Sequence, residues 1–165
     1  MQTRTQQTAA PLAELTGLPV KLNPLLQERS FGELRGQMFA KLAEQGINPF
    51  ATGYAPPGGE SIEVFERRCD RAWRLVLDEA EGTPEGQVLA VVTHGLVLDY
   101  FARKHVQVPG GVGPSLILFT NTSVTHIDTS GAHNPYPVLG ELFNDDSHLS
   151  DENRDKTYGK FISSI

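Results

Sequence analysis

His94 follows the apolar run Val88-Leu89-Ala90-Val91-Val92 and Thr93, and precedes Gly95. A neutral imidazole at such a place can accept a proton or attack an electrophile, and an imidazolium can hold an anion. Gly95 permits close backbone approach, and a helix starting behind it favours negative charge at its N-terminus. A histidine that only caps that helix, or packs beneath it, would carry the same sequence signature. Glu28 lies in Leu26-Gln27-Glu28-Arg29-Ser30-Phe31-Gly32 and is a possible general acid if the fold brings it near His94. Taken alone, it reads as a solvated loop carboxylate. Pro56-Pro57-Gly58-Gly59-Glu60-Ser61 reads as a turn and an N-cap at the entry to a long helix. The five histidines show no His-x-x-x-His or Glu-flanked spacing, so no metal is expected. Cys69, the single cysteine, can form neither an internal disulfide nor a Cys-rich zinc site.

The elements that must position these residues follow from periodicity. Ser61 to Glu81 is the clearest helix, with Ile62, Phe65, Cys69, Ala72, Trp73, Val76, Leu77 and Ala80 at spacings of three and four. Glu63 with Arg67, and Asp70 with Arg74, are i,i+4 pairs on its outer side. Gln87 to Thr93 reads as a strand buried on both faces, and Leu96 to His105 as a helix. Arg4 to Leu15 reads as a helix ended by Gly17, although Pro11 suits a first turn better than an interior. Val20 to Leu22 is a candidate short strand, Leu25 to Gly36 a loop, Gln37 to Gln45 a short helix and Asn48 to Gly59 a rigid loop. Leu116 to Phe119 and Ser123 to Ile127 are strand-like. From Asp128 onward the chain is polar and turn-rich. Helix, buried strand, helix implies an α/β sheet with helices on its faces, and His94 then sits beyond a strand's carboxyl end, where such folds bind ligands.

The chain has 165 residues, the size of one domain. A net charge of −6 disfavours nucleic acid as a partner, and 39% hydrophobic residues suffice for a core. No apolar run is long enough to span a bilayer, and the N-terminus lacks a secretory core, so neither membrane nor export is expected. A cytoplasmic location follows. Pro109-Gly110-Gly111-Val112-Gly113-Pro114-Ser115 has neither the ending of a P-loop nor dinucleotide-site spacing. Asn121-Thr122-Ser123 fits a glycosylation sequon, but no secretory signal accompanies it.

Five pieces in order resemble the histidine phosphatase superfamily, which includes phosphoglycerate mutase. They are Arg4-Thr5-Gln6-Gln7-Thr8-Ala9, Glu28-Arg29-Ser30-Phe31-Gly32, Gly58-Gly59-Glu60-Ser61, Val92-Thr93-His94-Gly95 and Asn121-Thr122-Ser123-Val124-Thr125. The resemblance runs from Thr3 to about Leu149. It implies a partial histidine phosphatase domain over residues 1–149, with a polar tail over 150–165. The implied fold is α/β, a three-layer α/β/α sandwich with a mostly parallel sheet.

The resemblance further implies phosphoryl transfer through a phosphohistidine, with no cofactor and no metal. In that scheme Arg4 binds phosphate and Gly95 lines the site. Glu28 protonates the leaving group and then activates water, and His94 holds the phosphoryl group through its charge. The family's Arg-His-Gly motif, expected upstream of Arg4 on the first, central strand, is absent from these residues. The chain therefore resembles an N-terminally truncated member with an incomplete sheet, expected to be marginally folded and without turnover. The compact entry to the long helix is more similar to the phosphatase branch than to the mutases. The expected activity is hydrolysis of a small phosphorylated metabolite. The alternative is an inactive protein that only binds phosphorylated ligands, and a phosphoglycerate mutase ranks below both.

Overall fold

The computed structural model describes residues 3–108, 110–113, 117–129 and 138–154. The described residues include the helices α1 (Thr3–Thr16), α2 (Phe39–Glu44), α3 (Ile62–Glu81) and α4 (Gly95–Lys104). Short 3-10 turns cover Pro24–Leu26 and Gly32–Leu34. Two strands, β1 (Ile127–Asp128) and β2 (Val138–Leu139), pair antiparallel, with Ile127 opposite Leu139.

The core is the seam between α3 and α4. The Ser61 hydroxyl accepts the Val64 N–H at 3.3 Å and starts α3 where the sequence places its cap. The apolar spacing then buries Phe65, Cys69, Ala72 and Trp73 on one stripe against Val97 and Phe101 of α4. The Trp73 and Phe101 rings meet edge-on, with centroids 4.9 Å apart. Burial pushes the Cys69 thiol up to about 12, so it is no nucleophile at neutral pH. Asp70, half-exposed, turns toward α4, accepting from the Tyr100 hydroxyl and bonding His105 Nε2, each at 2.9 Å, instead of serving Arg74. Glu63 likewise accepts the Gly53 N–H at 2.7 Å.

Helix α1 forms despite Pro11. The lost N–H bond belongs to an exposed position, where water reaches the orphaned carbonyl. The helix buries no residue and ends at Gly17, whose φ is +70°.

The strand expectations fare differently. Val20 to Leu22 and Gln87 to Thr93 form no ladder among the described residues. The second stretch, read as buried on both faces, leaves Val88 82% exposed, with Leu89 and Val91 also exposed. An extended segment becomes a strand only beside a partner, and no described segment offers one. Ser123 to Ile127 shrinks to an isolated bridge between Val124 and Asp145 and the start of β1. The turn-rich stretch after Asp128 supplies the partner strand β2. Residues 117–119 are not a strand, and Leu116 lies outside the described residues. Also outside them are Pro109, Pro114 and Ser115 of the glycine-rich loop, His133, and residues 155–165 of the expected tail. The described residues are thus mixed in secondary structure, helical with little strand. No described helix is long and apolar enough to cross a membrane.

Candidate active site

The chain enters α4 through Thr93, His94 and Gly95. His94 takes the N-cap position with extended backbone, φ −132° and ψ 161°, but its side chain makes no cap bond. It is 6% exposed, and Nδ1 lies 3.0 Å from Nη2 of Arg4. A guanidinium can only donate, so Nδ1 is the acceptor and the ring proton sits on Nε2. Burial, with the charges of Arg4 and Arg68, lowers the His94 pKa to about 4. The imidazole is therefore neutral at pH 7, and the positive charge expected of His94 resides on Arg4 instead.

Glu28 does the capping that His94 does not. One carboxylate oxygen accepts its neighbour's N–H, from Arg29, at 2.9 Å. The other accepts the N–H of Leu96, the second residue of α4, at 3.3 Å. Burial raises its pKa, against the pull of those two amides and of Arg4 and Arg68. The result is a carboxyl that keeps its proton to higher pH than an ordinary glutamate, as a general acid requires. Glu28 is thus half-buried at a helix terminus and not a solvated loop carboxylate. A Cβ added to Gly95 would meet nothing within 4 Å, so the first turn of α4 is open there. Arg4, Glu28, His94 and Gly95 come from chain positions up to 91 residues apart, and the structure gathers them at one end of α4.

Two loops hold Glu28 in place by backbone-to-backbone packing. Glu33 N–H bonds the Pro57 carbonyl at 3.0 Å, and Glu60 N–H bonds that of Ser30 at 2.8 Å. The approach admits only glycine. A Cβ on Gly32, whose φ is +52°, would run into the Pro57 carbonyl oxygen, and one on Gly59 would lie 2.7 Å from that of Ser30. Arg29, buried at 2% exposure, gives Nε and Nη2 to the Glu60 carbonyl at 3.2 and 3.0 Å. Its guanidinium stands over the rings of Phe31 and Phe50. The Thr93 hydroxyl bonds the Leu26 carbonyl at 2.8 Å.

Sequence reasoning missed Arg68 and the side chain of Glu60. Their signal was available: Arg68 stands three residues after Phe65 and four before Ala72, a charged side chain on the apolar stripe. Such an arginine needs internal acceptors, and Glu60 provides two. Burial pushes the Glu60 carboxyl up, but the Arg68 and Ser30 hydrogen bonds and the charges of Arg68 and Arg29 hold it below its usual range. Among the described residues no group of three or more histidine, cysteine, aspartate or glutamate side chains is placed to hold a metal ion.

Comparison with known proteins gives a consistent family. A family model described as histidine phosphatase superfamily (branch 1) matches residues 1–139. A protein of Yersinia enterocolitica described as a probable phosphoglycerate mutase GpmB is 30% identical over 156 residues. The match covers 88% of this chain and 69% of that protein. A protein of Erwinia tasmaniensis with the same description is 27% identical over 158 residues, covering 90% of this chain and 70% of its own.

Proposed function

The chain belongs to the histidine phosphatase superfamily, and on that premise we propose that the Arg4, Glu28 and His94 cluster serves hydrolysis of a small phosphomonoester through a phosphohistidine. The observation that carries this reading is the pairing of opposite shifts within one cluster. Glu28 is held toward its protonated form and His94 toward its neutral form, beside an arginine. An imidazole nitrogen attacks phosphorus, the bond to the leaving oxygen breaks, and the Glu28 proton passes to that oxygen. Water then attacks the phosphohistidine while the Glu28 carboxylate takes its proton. Arg4 and the Nε2–H of His94 donate to the phosphoryl oxygens throughout. On this reading the attacking imidazole belongs to an Arg-His-Gly motif, a tripeptide that these residues do not contain.

The same reading carries a three-layer α/β/α domain over residues 1–149 with a mostly parallel sheet that takes in Gln87 to Thr93. It also carries a cytoplasmic location, no cofactor and no catalytic metal. A second reading, phosphoglycerate mutation, is favoured by the descriptions of the relatives. Net release of inorganic phosphate supports hydrolysis, and isomerised phosphoglycerate supports mutation.

The test uses a chain that includes the nucleophilic histidine, with an alkyl and an aryl phosphomonoester. Glu28→Gln should lower turnover of the alkyl substrate about a hundredfold with little change in affinity, and of the aryl substrate far less. His94→Ala should harm both, and a chelator should change neither. Equal loss on the two substrates overturns the acid role of Glu28. If the 165 residues bind orthovanadate at Arg4 and His94 but the longer chain turns over nothing, phosphorylated-ligand binding replaces hydrolysis as the function. If the 165 residues themselves turn over substrate, His94 becomes the nucleophile.

A further inference from the structure

We propose that Arg68 is a positioning residue for Glu28, its five guanidinium donors fixing the backbone of residues 25–28 so that the Glu28 carboxylate stays on the Leu96 N–H. The inference rests on the reading of Glu28 as the acid. Arg68 projects from the second turn of α3 toward the segment that carries Glu28. Nη1 donates to the carbonyls of Leu25 and Gln27 at 2.8 and 2.7 Å, and Nη2 reaches that of Glu28 at 3.4 Å. Nε and Nη2 grip the two oxygens of Glu60 at 2.8 and 2.7 Å. All five N–H groups thus have an acceptor, and three of these acceptors are carbonyls within four residues.

Glu60 closes the arrangement. The oxygen that meets Nη2 also accepts the Ser30 N–H at 2.9 Å, on the other side of Glu28. With Thr93 on the Leu26 carbonyl, side chains from α3 and from the entry to α4 bind carbonyl oxygens at all four positions from Leu25 to Glu28. The single 3-10 turn over Pro24–Leu26 ends before Glu28, so these side-chain donors fix the Glu28 carboxylate with the precision that proton transfer needs. Arginine is required because its donors form a rigid planar fork. Lysine brings the charge but three donors from one point.

The Leu96 amide reports on this directly. Its proton bonds the Glu28 carboxylate, so its NMR position should move as Glu28 titrates, and Glu28→Gln should abolish the movement. In the 165-residue chain, Arg68→Met and Arg68→Lys should each reduce that movement by more than half, with no rescue by the lysine charge. Glu60→Gln, which keeps the shape but weakens the grip, should reduce it less, and it serves if the Arg68 variants do not fold. A merely structural role for Arg68 would lower the melting temperature and leave the Leu96 titration intact. An unchanged Leu96 titration in every folded variant overturns the proposal. In a chain that turns over substrate, the Arg68 variants should widen the gap between alkyl and aryl turnover in the sense of Glu28→Gln. If the amide movement is lost while that gap stays, Arg68 positions Glu28 but Glu28 is not the acid. The failure then belongs to the functional reading.

Discussion

Two stretches near α4 obey opposite rules. The corner formed by residues 25–33, 56–61 and 93–96 holds little regular structure beyond two short 3-10 turns and the first residues of α4, yet its carbonyls meet side chains or amides from distant parts of the chain. The stretch from Gln87 to Val92 is apolar and strand-like in composition, yet Val88 is 82% exposed. The corner is satisfied by arginine and threonine donors, whose partners come with the helices that carry them. A strand depends on a neighbouring backbone, and its composition says only that it would suit one. Irregular backbone can therefore be held in place, while the strand-like stretch finds no partner among the described residues. Where chemistry is needed, this chain relies on the first kind of order.

The largest expected effect falls on the corner. Gly32→Ala places a methyl group against the Pro57 carbonyl at a backbone angle that disfavours any side chain. It should cost more than about 3 kcal/mol, measured by denaturant unfolding. A loss below about 1 kcal/mol would show that the two loops separate easily and that the corner is no more braced than the bare stretch.

The next effect is set by pH. His94 has a folded-state pKa of about 4 against an ordinary 6.5. Its neutral form is the one the fold accepts, so its contribution is fully present above pH 6.5. That contribution is lost as pH falls from 6.5 toward 4, where only the unfolded chain has taken up the proton. The loss should reach about 3 kcal/mol. His94→Gln should flatten this slope between pH 7 and 4.5 without removing acid sensitivity from other groups. An unchanged slope would mean that water reaches the His94 ring and that the corner is open.

These two effects also mark what was legible beforehand. His94 stands out in the sequence by its place after an apolar run, whereas Glu28, Gly32 and Gly59 were legible only as members of short motifs that resemble a family. The α3 helix was legible because its cap and its apolar stripe lie within the helix itself. Arg68 was legible only as a charge on the apolar stripe, since a sequence does not show which carbonyls such an arginine will serve. The antiparallel pairing of Ile127–Asp128 with Val138–Leu139 was hidden for a similar reason: the second strand lies in a polar, turn-rich stretch. The tautomer of His94 depended on an arginine 90 residues away.

A smaller effect tests the frame on which the corner rests. Ser61→Ala removes the hydroxyl that accepts the Val64 N–H and should cost about 1 kcal/mol. The cost should appear in unfolding experiments without altering the Leu96 titration, since Glu60 grips Arg68 through its own carboxylate. If the cap variant does disturb that titration, the corner depends on helix α3 starting at this residue, and its bracing is less local than the hydrogen bonds indicate.

The smallest expected effect probes the bare stretch. Val88→Lys replaces an exposed apolar side chain, and substitutions at exposed positions without partners usually change stability by less than about 0.5 kcal/mol. The same change should reduce aggregation, because a charge on an unpaired apolar segment opposes pairing with another chain. Unfolding and light scattering, measured across a range of protein concentrations, read the two outcomes separately. A cost above about 2 kcal/mol, independent of concentration, would place Val88 in contact with another part of the same chain. The same cost at high concentration alone would place a second molecule there, since only association depends on concentration. In either case the stretch would be ordered by a partner, as the corner is, and the contrast between the two regions would reduce to where each finds its partners.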